Sequence, residues 1–367
     1  MTPYLKKFLG SNWILFGLML ALAIFGVIAV YSATIIRDEQ LLYWRRQGYW
    51  VAFGVVTFFA ISFVDYRWIR WGAMPMYLLG IIFLVLTKIR GTTVNGARSW
   101  LHLGPVNFQP AQLAIIAGIL VLALFLSQFR NLHPMIKLLF CALIVGAPCL
   151  LIMLQPDLGE VLMWIPTVLA ILFIAGLPLR YLISLIISGA AIIPLAYFFV
   201  LHHKQQARIT SFIDPEIDPT GISWDLNQSL NAIGSGGWAG KGFMAPNSLM
   251  SQGVFTTAGH TDYIFTAVGE QWGFLGGVAL LSAFALLIFT GLFIAFRSSD
   301  DLGLLVAVGI VSLIFTHICQ NVGMTVGALP ITGVPLPLIS YGGTFVLMIM
   351  FGLGIVNSIW VHRKVLP

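Results

Sequence analysis

Charge is what this sequence lacks. Only 9% of its 367 residues are Asp, Glu, Lys or Arg, against about 25% in a soluble domain. So few charges cannot cover a water-facing surface, which excludes a soluble enzyme and a disordered chain. Cysteine is equally scarce. Cys141, Cys149 and Cys319 all lie in apolar runs, which excludes a secreted disulfide scaffold and reads as packing. The spacing of His and Cys forms no metal site. The net charge is +6 with a pI of about 9.3. In so apolar a chain it reads as basic loops meeting anionic lipid rather than nucleic acid.

What is present is hydrocarbon. Hydrophobic types make up 59% of the chain, and the mean hydropathy is +0.95. A helical span needs about 20 apolar residues, which leaves room for roughly ten. Uncharged runs place spans near 13–34, 48–64, 71–87, 109–127, 138–154, 161–177, 181–201, 274–296, 304–326 and 343–361. The runs are continuously apolar, where barrel strands would alternate. The expected fold is therefore all-α, a polytopic membrane protein with residues 1–367 as one integral unit. Lys6 and Lys7 before the first run superficially resemble a signal peptide. That run is too long for a signal core, and no small-residue cleavage site follows it.

Orientation follows from Lys and Arg in short loops. With the long 202–262 connection set aside, the termini and even-numbered connections hold ten basic residues, from Lys6 and Lys7 to Arg363 and Lys364. The odd ones hold six: Arg37, Arg45, Arg46, Lys88, Arg90 and Arg98. Both termini are expected inside, and the informative odd connections, 88–108, 155–160, 202–262 and 327–342, outside.

Five of the thirteen acids fall in 202–262. Asp214, Glu216 and Asp218, in DPEIDPTG, read as turn residues. The stretch IGSGGWAGKG lacks P-loop spacing and reads as flexibility or close backbone approach to a neighbouring helix. Asp262 follows His260 and Thr261 at the start of an apolar stretch. It can cap a helix, or act as a base or metal ligand at the membrane edge. Glu270 lies within the same run, where an ionisable group is a functional hypothesis by default. Asp157 and Glu160, in QPDLGE, can mark a capped turn or line a cavity. Arg98 and Trp100 can anchor at the interface, or Arg98 can bind an anionic head group with Arg90 and Lys88. The nearly uncharged GALPITGVPLPLISYGG reads as a re-entrant segment, because irregular apolar backbone needs burial in protein. His317, Gln320 and Asn321 read as helix–helix hydrogen bonds.

Taken together, NGARSWLHLG with FQP, QPDLG, DPEIDPTG, AIGSGG with GKG, HTDYIF with GE, NVGM and LPITGVPLPLISYGG run in order from about residue 40 to the end. In this the chain resembles the SEDS family of shape, elongation, division and sporulation proteins (RodA, FtsW and SpoVE), and its short termini are most like RodA. The resemblance implies ten spans in the bacterial cytoplasmic membrane. It also implies a peptidoglycan glycosyltransferase that polymerises lipid II for cell elongation and shape. Implied partners are a class B penicillin-binding protein and other elongation-machinery membrane proteins, with no nucleic acid. The family's essential aspartate falls on Asp262, after His260 and Thr261, and cavity positions match Arg46, Arg98, Asp157, Ser340 and Tyr341. Members commonly carry Glu and Lys where Gln112 and Ile115 stand here.

Glycosyl transfer needs a base for the acceptor hydroxyl and positive charge on the departing diphosphate. Asp262 is assigned the base, and Arg98, Arg46 and Arg208 are candidates for the diphosphate. A divalent cation, magnesium or manganese, held by Asp262 is the alternative to direct base action. The rival readings are a lipid II flippase, a division or sporulation paralogue, and a scaffold.

Overall fold

The computed structural model describes residues 3–34, 42–94, 97–104, 106–199, 201, 203–214, 221, 223–249 and 257–363. Glu216 and Asp218 lie outside these residues. A short α1 (Pro3–Leu9) leads into α2 (Trp13–Thr34), α3 (Tyr43–Phe63) and α4 (Ile69–Arg90). Strands β1 (Thr92–Val94), β2 (Ala97–Leu103) and β3 (Val106–Phe108) follow. Then come α5 (Pro110–Gln128), α6 (Pro134–Met153), α7 (Leu158–Ile174) and α8 (Leu179–Phe199). Two helices, α9 (His203–Ile213) and α10 (Trp224–Gly236), precede α11 (Ile264–Phe296), α12 (Asp301–Thr325) and α13 (Gly343–Val361).

Eight of these helices are long and apolar enough to cross a membrane. The other two expected spans are α3, whose first turn carries Arg45 and Arg46, and the 17-residue α7. They pack along α13 and α12 respectively. The chain is a multi-pass membrane protein. Helices α5, α12 and α13 form the middle of the bundle and are buried on most faces. Helix α8 buries only Leu182 and presents apolar side chains outward, as expected of a surface solvated by lipid.

Three expectations change in detail. The 88–108 connection is an antiparallel three-stranded sheet, β1-β2-β3, rather than a loop. The 202–262 connection contains α9, α10 and a 3-10 turn at Thr257–His260. The eighth span, expected from 274, is the second part of a longer helix broken at Gly273 (φ 65°, ψ −160°). A half-helix, Ile264–Trp272, precedes that break. The 327–342 segment is irregular and buried: Val334, Leu336, Leu338 and Ile339 are each at most 1% exposed. Pro330, Pro335 and Pro337 prevent a helix there.

Candidate active site

Asp262 lies where the half-helix of α11 meets α12 and the buried 327–342 segment. It is not the cap of α11: that position is Tyr263, and no side chain caps it. Instead, the backbone around Asp262 is clamped at three successive carbonyls. The Tyr341 N–H donates to His260 O (3.0 Å), the Ser340 hydroxyl to Thr261 O (2.5 Å), and the Asn321 amide to Asp262 O (2.8 Å). Asn321 also donates to Val334 O (2.8 Å), tying α12 to the irregular segment. Ser340 Oγ in turn accepts from Leu336 N–H (2.8 Å). Gln47 of α3 donates to Ser340 O (3.0 Å) and accepts from Gly342 N–H (3.3 Å).

None of these bonds engages the Asp262 carboxylate. Gly333 lies beside it: an added Cβ would be in ordinary contact with Asp262 Oδ2, at 3.4 Å, and the φ of 72° there favours glycine. Asp262 is half-buried, deep among protein atoms but with one face open. Burial pushes its carboxyl up from the usual range to about 6. Arg208 and a Thr261 hydroxyl bond work against that rise, while Asp157 and Asp225 add to it.

Asp157 is the N-cap of α7, accepting from Glu160 N–H at 3.4 Å, and it also faces Asp262 electrostatically. Burial raises its pKa, opposed by the Glu160 N–H, Arg208, Ser99 and Gln109. Gly159 brings this turn against Thr332, where a Cβ would meet Thr332 O at 2.6 Å. Arg208 of α9 donates to the same carbonyl (3.4 Å), and its charge acts on both Asp157 and Asp262. Glu160 is 2% exposed and accepts from Gln109 (3.2 Å) and Gln112 (2.6 Å).

The structure therefore brings together Asp262, His260, Thr261, Ser340, Tyr341, Asp157 and Arg208. Arg46 joins through Tyr341, to which it hydrogen-bonds. Tyr341 stacks on Tyr43 (4.7 Å between ring centroids), and Tyr43 lies against His260 (5.0 Å). Arg98 stands apart. Its neighbour on β2, Ser99, is buried against Asp157, and alternation along a strand turns Arg98 to the opposite, exposed face. There it reaches Lys88 O (3.4 Å). Gln47, Ser99, Gln109 and Gly333 were not anticipated. Asn321, expected to bond between helices, reaches instead the carbonyls of Asp262 and Val334.

Among the described residues no three His, Cys, Asp or Glu side chains gather as a cage, and Arg208 already supplies positive charge beside Asp262.

Known proteins share this architecture. The FtsW/RodA/SpoVE family profile, described as cell cycle protein, matches residues 12–365. The peptidoglycan glycosyltransferase MrdB of Escherichia coli K12 is 37% identical over 350 residues, covering 95% of this chain and 93% of its own. Stage V sporulation protein E of Bacillus subtilis is 33% identical, covering 93% and 94%. A chain from a solved peptidoglycan synthase complex that coordinates polymerization and crosslinking superposes with a TM-score of 0.83. It is 28% identical, over 97% of this chain and 99% of that one. The rod shape determining protein RodA of Thermus thermophilus superposes with a TM-score of 0.73 at 27% identity, over 96% and 98%. Sequence and fold agree along nearly the whole length: the chain belongs to the FtsW/RodA/SpoVE family.

Proposed function

We propose that this chain is a peptidoglycan glycosyltransferase of the RodA type, polymerising lipid II at the outer face of the bacterial cytoplasmic membrane. The observation that carries the reading is Asp262: a clamped, half-exposed carboxylate with a raised pKa, next to Arg208, where a span begins. Asp262 takes the proton of the acceptor sugar hydroxyl. The freed oxygen attacks the anomeric carbon of the donor, the bond to diphosphate breaks, and the polyprenyl diphosphate leaves. Arg208 and Arg46 are assigned the charge that develops on it. Thr332 O anchors Arg208, whose charge acts on Asp157 and Asp262, and Ser340, Tyr341, His260 and Thr261 hold the backbone around the reacting carboxylate.

Both termini are placed in the cytoplasm by the short-loop charge bias. A cysteine replacing the exposed Pro246 should react with an impermeant thiol reagent in intact cells, and one replacing Ser299 should not; the reverse pattern would invert the orientation. A class B penicillin-binding protein is the proposed partner, in keeping with the synthase complex that this chain resembles. The activity is tested with the purified chain and lipid II in detergent. Glycan polymer is expected. Lipid II binding without polymer would point to a transporter or scaffold instead.

A further inference from the structure

The glycine-rich stretch 236–242 and the buried Glu270 have no part in the chemistry above, yet they meet at the break in α11. In an unbroken helix the N–H groups of Phe274 and Leu275 would reach the carbonyls of Glu270 and Gln271. At Gly273 those four groups separate, and unpaired backbone in an apolar region is costly. The 237–242 segment takes all four. Lys241 N–H donates to Glu270 O (2.9 Å) and Gly242 N–H to Gln271 O (3.1 Å). Phe274 N–H donates to Gly237 O (2.9 Å) and Leu275 N–H to Trp238 O (3.1 Å). The chains approach so closely that only glycine fits. An added Cβ on Gly240 (φ 79°) would lie 2.2 Å from Gln271 O, and one on Gly236 would lie 2.1 Å from Gly269 O.

A side-chain lock closes this strap. Glu270 is 0% exposed, and its Oε1 accepts from Lys241 Nζ at 2.8 Å and from Leu249 N–H at 2.5 Å. Lys241 also donates to Asn247 O (3.3 Å). The half-helix it holds, Ile264–Trp272, is too short to be stable alone, and Asp262 sits two residues before it. We propose that Lys241 and Glu270 are positioning residues: their ion pair fastens the 237–242 strap to the half-helix and so fixes Asp262 for transfer. The positioning role rests on the function proposed above; the fastening does not.

The test reads two quantities on the purified full chain. One is hydrogen exchange at the Phe274 and Leu275 amides, with the α12 amides as reference. The other is polymer turnover against lipid II concentration. Lys241→Met leaves Glu270 buried without its cation. It is expected to raise exchange at both amides by roughly tenfold or more with α12 unchanged. It should lower kcat by on the order of 10²-fold at unchanged KM, as a small misplacement of a reacting group does. Lys241→Arg should keep most of both properties. The double change Lys241→Met with Glu270→Gln, which removes both charges, should recover part of the loss. Unchanged exchange, or loosened exchange with normal kcat, overturns the proposal. So does a kcat that falls only as far as the folded fraction falls. Absence of polymer from the wild-type chain would refute the proposed activity, and with it the positioning role, while the exchange arm would still decide the fastening.

Discussion

The acids around Asp262 and those at the far end of the helix bundle are partnered differently. At the end that carries the short even-numbered connections, every described acid has an arginine. Asp65 meets Arg67 (3.3 Å), Asp300 meets Arg70 (3.7 Å) and Tyr66, and Asp301 meets Arg130. These arginines are 37–62% exposed, and such pairs contribute little. At the other end Glu270 pairs with Lys241, but among the described residues no ion pair closes on Asp157, Glu160 or Asp262. Their company is amides, hydroxyls and one another, with Arg208 acting on Asp157 and Asp262 from a distance. Acids left without a cation partner in a crowded setting are poised to hold or take protons. The contrast sets these three acids apart without reference to any relative.

The sharpest way to break that contrast is to neutralise one acid at each end. Asp262→Asn keeps the clamped backbone and the shape but removes the base. Polymer yield per folded protein should fall by about 10²–10⁴, with melting temperature close to wild type. Next in size is the Glu160 pocket. Gln112→Glu would set a second carboxylate 2.6 Å from the first and should destabilise by about 1–3 kcal/mol, read as a lower melting temperature in detergent. Adding Glu160→Gln, which exchanges the two groups, should recover most of it. The smallest effect belongs to the opposite end. Asp301→Asn should change stability by no more than about 1 kcal/mol and leave turnover as it was.

Much of this was legible in the sequence, and what was not has physical reasons. The apolar runs gave the ten long helices to within a few residues, except where polar residues begin α3 and where a half-helix precedes Gly273. The close backbone approach expected of the glycine-rich stretch is present at Gly236 and Gly240. Strands of three residues, β1 and β3, are too short for alternation to show, so the sheet that turns Ser99 inward and Arg98 outward could not be foreseen. At 112 and 115 the sequence shows only that Gln and Ile stand where relatives commonly carry Glu and Lys. In the fold, Ile115 is fully buried in the core, and the carboxylate near Gln112 comes from Glu160, 48 residues away. Only the packing of α5 against α7 reveals that. The clamp on Asp262 was hidden for the same reason, since its donors Asn321, Ser340 and Tyr341 lie 59 to 81 residues further along the chain.

If burial turns Asp262 into the base of the transfer, the pH dependence of turnover shows it most directly. A carboxyl with its pKa raised to about 6 is a base only above that value and is protonated below it. Polymer turnover at saturating lipid II should therefore be level above about pH 7 and fall roughly tenfold per unit below the midpoint. Enzyme refolding or loss should be excluded by returning each sample to pH 7.5 and recovering full activity. A midpoint near 6 is the predicted result. A profile that stays flat down to pH 5 would show that the reacting carboxylate is an ordinary, well-hydrated one, and would contradict that role.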